Sequence, residues 1–425
     1  MESKWIVLVI VILMYGFVIG FPGKKAWITL AAAALVMILG IVPPVNAFFL
    51  VNWSVLLIYI GSLILAELFI YSRVPSRIAD NIVQKTPNAG IAIVMLLIIT
   101  GLISAFVENV ATVLVMAPVA LALCAKLRIN PTRFMIGLAV MANLQGTATL
   151  VGDPPSMIFA SYANYGFNDF FVYGGKPSIF FVVQTGMIAG AVYFLYFFAR
   201  ENKIKINVEK EPILSQIPTV LLILMIIGLA AISFFHTGIS LVSGIMVMGI
   251  GIAGLFWYTF IIKKGISSAA TLIKKLDWET IVFLIGIFIV IGALSETGLL
   301  DDLVDLMGAL IGGNVAMGFI MILVISIIIS GFVDNVPYII AMLPVITGLT
   351  NRLNLKPELY IFALLIGSCL GGNLTPFGAS ANIAAIGILK KEGIILDFRG
   401  WLKIGLPFTV ITTAAASLFL WVVWR

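Results

Sequence analysis

The stretch GFVDNVPYIIAMLP, residues 331–344, decides the fold. It is an apolar run with an acid and an amide, Asp334 and Asn335, set in its middle. The pattern occurs once before, as AFVENVATVLVMAP at residues 105–118. An offset of 226 carries Glu108 onto Asp334 and Pro118 onto Pro344, and it holds without a gap from 104–152 to 330–378. Sixteen of those 49 positions are identical, which is enough to read the chain as two copies of one unit. Two copies of a broken, charge-bearing apolar segment point to a transporter with its site between the halves.

Composition sets the solvent. Of 425 residues, 62% are hydrophobic and 10% charged, whereas a soluble domain is about a quarter charged. The chain is therefore read as an all-α polytopic membrane protein. Spans of roughly 20 apolar residues fall at 5–21, 27–42, 53–72, 131–164 and 176–200, then at 216–235, 238–262, 278–295, 357–389 and 401–424. Segments 74–85 and 299–310 are amphipathic and should lie in the interface. Segments 88–126 and 314–349 read as re-entrant hairpins with tips at Glu108-Asn109 and Asp334-Asn335. The spans 131–164 and 357–389 are broken at GTATLVGDPP and GGNLTPFGAS, a backbone tolerated at depth only where protein or a cavity receives it.

The expected division is a first repeat over 1–200, with scaffold 1–87, transport part 88–175 and helix 176–200. A linker follows at 201–215. The second repeat covers 216–425, with scaffold 216–313, transport part 314–400 and helix 401–425. Five crossings per half is odd, so the halves should be inverted. Loops on the side of the PGKK turn hold 20 of the 25 Lys and Arg, which places that face and the linker in the cytoplasm and both termini outside. The first apolar run is expected to be a retained span of a plasma (inner) membrane protein.

Each break should start a half-helix with free N–H groups at its positive end. Four such ends meeting at mid-membrane would hold a small polar species. The expected binding residues are Glu108, Asn109, Asn143, Thr147, Thr149, Gly152, Asp153, Asp334, Asn335, Gly372, Asn373, Thr375, Gly378, Ser380 and Asn382. Glu108, Asp153 and Asp334 are expected to couple a proton or cation, with no Lys or Arg in their segments to neutralise them, and a Na+ site is expected near Asn109, Asn335 and Asp334. An intramembrane acid is functional by default, and burial favours its protonated form. The bland alternative is that the acids only cap helices. Asp153 is expected near the edge of its loop, and Glu67 and Glu296 at the interface. Cys124 and Cys369 lie in separate apolar runs, so no disulfide framework is indicated, and His236 sits at a short loop.

SAFVENVATVLVMAPV, GTATLVGDPPS, SGFVDNVPYIIAMLPV and GGNLTPFGASANIAAIGILKKEG resemble the signature stretches of the ArsB/NhaD group of the ion transporter superfamily, which includes arsenite permeases, NhaD-type sodium/proton antiporters and the P protein. The P-protein-like branch looks closest. The resemblance implies an elevator-type homodimer in a lipid bilayer, with Asn109, Asn335 and the two broken loops binding substrate and coupling ions. Glu108 stands where Asp is usual, Ser156 where Asn is usual, and Pro376 is atypical.

The function expected first is secondary transport of a small inorganic ion or neutral oxyacid, of arsenite/antimonite-efflux type, coupled to H+ or Na+. Na+/H+ antiport is the main alternative, followed by Na+-coupled anion or dicarboxylate transport and a passive channel. No Walker A, HExxH or GxSxG motif occurs, so neither an ATPase nor an enzyme is expected from the chain itself. No cofactor or nucleic acid is expected, and room is left for a soluble ATPase partner.

Overall fold

The computed structural model describes residues 2–86, 88–198, 211–235 and 238–425. His236 and linker residues 201–210 lie outside the described residues. The first half comprises α1 (Glu2–Gly20), α2 (Lys25–Ile38), α3 (Pro44–Leu50), α4 (Trp53–Tyr71), α5 (Val74–Lys85), α6 (Ala89–Ser104), α7 (Asn109–Leu127), α8 (Thr132–Gly146), α9 (Pro154–Ala163) and α10 (Ile179–Phe198). The second comprises α11 (Ile217–Phe235), α12 (Leu241–Phe256), α13 (Gly265–Lys274), α14 (Trp278–Glu296), α15 (Leu299–Ile311), α16 (Val315–Phe332), α17 (Asn335–Arg352), α18 (Pro357–Gly371), α19 (Ser380–Lys391) and α20 (Phe398–Trp424). A two-stranded hairpin, Val172–Tyr173 with Lys176–Pro177, precedes α10.

Local chemistry starts these helices in the same way in both halves. Asn88 caps α6 by accepting from Gly90 N, and Asn314 caps α16 by accepting from Met317 N. Asn52 and Asp277 do the same for α4 and α14. Such a cap contributes about 1 kcal/mol.

Among the described residues, nine helices are long and apolar enough to cross a membrane: α1, α4, α7, α10, α11, α12 with its π-helical extension, α14, α16 and α20. The protein is a helical polytopic membrane protein. Two expected features differ, and the two spans read as broken are broken. The second span stops at Ile38 rather than 42, because Gly40 takes φ +69° and Pro43 and Pro44 start the separate helix α3. Residues 265–274, expected as loop, form the amphipathic helix α13. The broken spans are two helices each, α8 then α9 and α18 then α19.

The core runs along α8 and α18. Every residue of Phe134–Gly146 and of Leu359–Gly371 is buried, as for a helix apolar on all sides. α6 packs on α8, α16 on α18, and α10 on α20. The outer pairs cross between halves, with α2 on α14 and α4 on α12. Apolar side chains on the rim, such as Trp5, Ile12, Ile223, Ile227, Ile245 and Ile252, are exposed, as lipid-facing residues are.

Candidate functional site

Four helix N-termini meet at one cavity of about 20 Å3, those of α7, α9, α17 and α19. That volume has room for about one water-sized species. Of the expected residues, Glu108, Asn109, Asp153, Asp334, Asn335 and Ser380 line it. Glu108 and Asp334 carry the two readings at once. Each caps its own helix, Glu108 accepting from Ala111 N at 2.8 Å and Asp334 from Val336 N at 3.2 Å, and each also faces the cavity. Asp153 is 6% exposed, so it is no loop-edge residue, and its side chain makes no cap bond.

The absence of a basic neighbour is corrected by Lys25. Its Nζ lies 2.9 Å from Asp334 Oδ2, with side-chain exposures of 13% and 24%. The residue belongs to the PGKK turn in sequence, but it opens α2, which packs on α14 and so delivers the ammonium to the cavity. Sequence reading also missed Tyr59, Asp277 and Thr280, which line the same space. Tyr59 donates to Asp277 Oδ2 at 3.3 Å. The echo of Asn52-Trp53 in Asp277-Trp278 was the available signal for Asp277. Tyr59 left none in its apolar run.

The remaining expected residues do not line the cavity; they hold its walls together. Asn143 is the hub. It accepts from Asn109 Nδ2 at 3.1 Å and donates to Asn373 Oδ1 at 3.0 Å and Asn382 Oδ1 at 2.8 Å. Asn382 donates in turn to the carbonyls of Gly372 and Thr375, and Thr147 sits on Asn143 O. A buried polar network of this kind is costly unless satisfied, and here it ties the two halves together. Thr149 and Thr375 brace the broken loops onto the hairpins by donating to Ala105 O and Gly331 O. Ser104 and Ser330 do the same to Ala142 O and Ser368 O. Both pairs recur at the 226 offset. Gly152 and Gly378 allow this closeness. A Cβ at Gly152 would lie 2.4 Å from Gly146 O, and one at Gly378 2.6 Å from Gly372 O.

Cys369 is buried and absent from the cavity lining, as is Cys124. Among the described residues, no three of His, Cys, Asp and Glu draw together into a metal-ligand cluster. The cavity is thus lined by four carboxylates and one ammonium, with its more exposed side at Asp334 and Ser380 and its deep wall at Glu108 and Asp153.

A family model described as a citrate transporter matches residues 6–367. The chain belongs to the CitMHS family. Several relatives are described as uncharacterized transporters. An uncharacterized transporter of Mycobacterium tuberculosis is 31% identical over 414 residues, covering 94% of each chain. The 46 kDa membrane protein of Mycobacterium leprae is 29% identical, covering 98% of each. The P protein of Sus scrofa is 25% identical over 92% of this chain and 56% of its own. Two solved structures share the fold: the YdaH transporter of Alcanivorax borkumensis, with TM-score 0.60, 13% identity and 87% and 84% coverage, and MtrF of Neisseria gonorrhoeae, with TM-score 0.58, 14% identity and 92% and 84% coverage. The sequence resemblance to ion transporters thus resolves to CitMHS, with the P protein as a relative; the arsenite-permease branch is not what the family model matches.

Proposed function

We propose that this CitMHS chain is a gradient-driven secondary transporter whose acid-lined cavity binds a cation, the proton first, as coupling ion. One observation carries the reading. Four carboxylates and a single lysine surround a space for one water-sized species. An unbalanced set of buried acids attracts protons or cations and repels anions. A Na+ bound near Asn109, Asn335 and Asp334 would draw on amide and carbonyl oxygens as well as carboxylate.

Cation exchange of the Na+/H+ kind follows most directly. The family description favours a second reading, in which a tricarboxylate travels with cations that offset its charge. The four helix N-termini suit an anion, and the cavity would then have to widen. Arsenite-type efflux has less support, since no thiol lines the space.

The elevator motion is part of the proposal. The Asn143, Asn373 and Asn382 network supports one moving body made of 88–175 and 314–400. The cross-packing of α2 on α14 and α4 on α12 supports a separate scaffold from 1–87 and 216–313. The 226-residue recurrence supports two inverted repeats, and both termini outside and a homodimer belong to the same proposal. Lys25–Asp334 and the Tyr15 hydroxyl donating to Pro337 O at 2.9 Å would then bridge scaffold and moving body.

The test is reconstitution in liposomes with imposed pH or Na+ gradients, following citrate, Na+ and H+. Coupled flux in the wild type and its loss in Asp334→Asn are expected. Flux indifferent to both gradients ends the reading.

A further inference from the structure

A second, larger space lies beyond the deep wall of the cavity. It is a pocket of about 330 Å3 between the end of α4, the π-helical turn Trp257–Ile261 and α13. Its polar lining is Glu67, Tyr71, Tyr258, Ser268, Thr271 and Lys275, unusual in a chain that is 62% hydrophobic. Tyr71 and Tyr258 meet edge to face at 4.9 Å, and Lys264 lies 5.5 Å over the Tyr71 ring.

Two strands of chain link this pocket to the acid-lined cavity. Lys275 lines the pocket and Asp277 lines the cavity. They are two residues apart, so their Cα atoms are at most about 7 Å apart, and only Leu276, buried at 5%, stands between them. Helix α4 touches both spaces as well, with Tyr59 in the cavity and Glu67 in the pocket. Eight residues of helix rise about 12 Å. Ala66, next to Glu67, clusters with Val107 and Ala111 at the tip that carries Glu108. Glu67 and Lys275 line the same pocket.

We infer that this pocket is the vestibule through which the coupling proton reaches the acid-lined cavity, with Glu67 as the relay to Glu108 and Leu276 as the apolar plug beside it. The inference rests on the proton-coupled reading above. A proton from vestibule water forms an O–H bond on the Glu67 carboxylate. It then leaves that oxygen, by way of intervening water, for the Glu108 carboxylate, and no other bond changes. The vestibule has room for a cluster of waters and the cavity for about one, so the space narrows where the relay begins. Lys263, Lys264, Lys274 and Lys275 mark this as the basic face of the chain, the face that Lys and Arg give to the cytoplasm.

The experiment uses full-length protein in liposomes carrying an internal pH dye. Glu67→Gln is expected to slow proton flux by about 100-fold or more and Glu67→Asp to restore most of it, within the range of rate contributions from a positioned proton-transfer group. A positively charged methanethiosulfonate on Ser268→Cys is expected to block flux relative to the same variant before labelling. Both native cysteines are buried, so the reagent reports the introduced one. Wild-type rates in Glu67→Gln, or an unchanged rate on labelling Ser268→Cys, would overturn the vestibule while leaving proton coupling intact. A wild type that moves no protons would instead overturn the coupling reading, and the vestibule with it.

Discussion

Replacing Lys25 with methionine removes the one ammonium facing four carboxylates and keeps most of the side-chain volume. At 2.9 Å, and at an effective dielectric of about 20, the attraction between Lys25 and Asp334 is roughly 6 kcal/mol. Much of that offsets the cost of taking both groups out of water, and loss of one partner of a buried pair typically shows as about 3 kcal/mol. If a transported cation competes with Lys25 for Asp334, that amount becomes affinity. At 1.4 kcal/mol per tenfold, the variant should half-saturate at about 100-fold lower cation concentration. Turnover should fall, because the cation leaves more slowly and nothing replaces it on Asp334. Lys25→Arg should stay near the wild type. The assay is gradient-driven flux in proteoliposomes, titrated with pH and Na+ separately. Half-saturation within about twofold of the wild type for both ions, a shift of under 0.5 kcal/mol, would show that Lys25 does not compete with the cargo.

Gly152→Ala should lower stability by about 2–3 kcal/mol, the upper range for overpacking, because the new methyl meets backbone oxygens that cannot swing away. Gly387→Ala in α19, with nothing within 4 Å, should be neutral or slightly stabilising in the same unfolding assay. At the basic face, buried Asp80 accepts from Glu211 N at 2.8 Å, while Arg73 pairs with Glu211 where both side chains are 48% exposed. Asp80→Ala should therefore free the chain near 211 to proteases and cost about 1–2 kcal/mol. Arg73→Ala should cost under about 1 kcal/mol and leave the cleavage rate nearly unchanged.

Most of the architecture was legible because hydropathy and the repeat say the same thing twice. Glu108 and Asp334 stood out since an acid in an apolar run is rare, and an offset of 226 puts one on the other. Lys25 was not legible. A lysine beside Pro22 and Gly23 reads as loop charge, and only tertiary packing of α2 on α14 shows that it heads a buried contact. Thr149 and Thr375 were assigned to the right region and the wrong task. A hydroxyl that lines a cavity and one that braces a loop carry the same letter, and only the recurring acceptors Ala105 O and Gly331 O separate them. Glu67 looked interfacial because sequence cannot show that α13 folds over it.

The repeat also separates the four acids by task. Glu108 and Asp334 match across the halves, and both cap helices. Asp153 corresponds to Ala379, and Asp277 stands where the first half has Asn52. Capping is a local duty that each hairpin needs in any conformation, so the matched acids have one oxygen committed throughout. Asp277 is likewise committed, to Thr280 N and to Tyr59. Asp153 heads α9 without a side-chain cap bond, and the two prolines that follow it offer no N–H to accept. Its carboxylate can then pass a cation to and from Asp334 without opening a helix end. Asp153→Asn should abolish coupled flux while the protein still folds, since no cap is lost. Glu108→Gln, which keeps an oxygen for Ala111 N, should fold normally and transport slowly. Coupled flux persisting in Asp153→Asn, with cation affinity unchanged, would show that the uncapped acid takes no part in moving the cation.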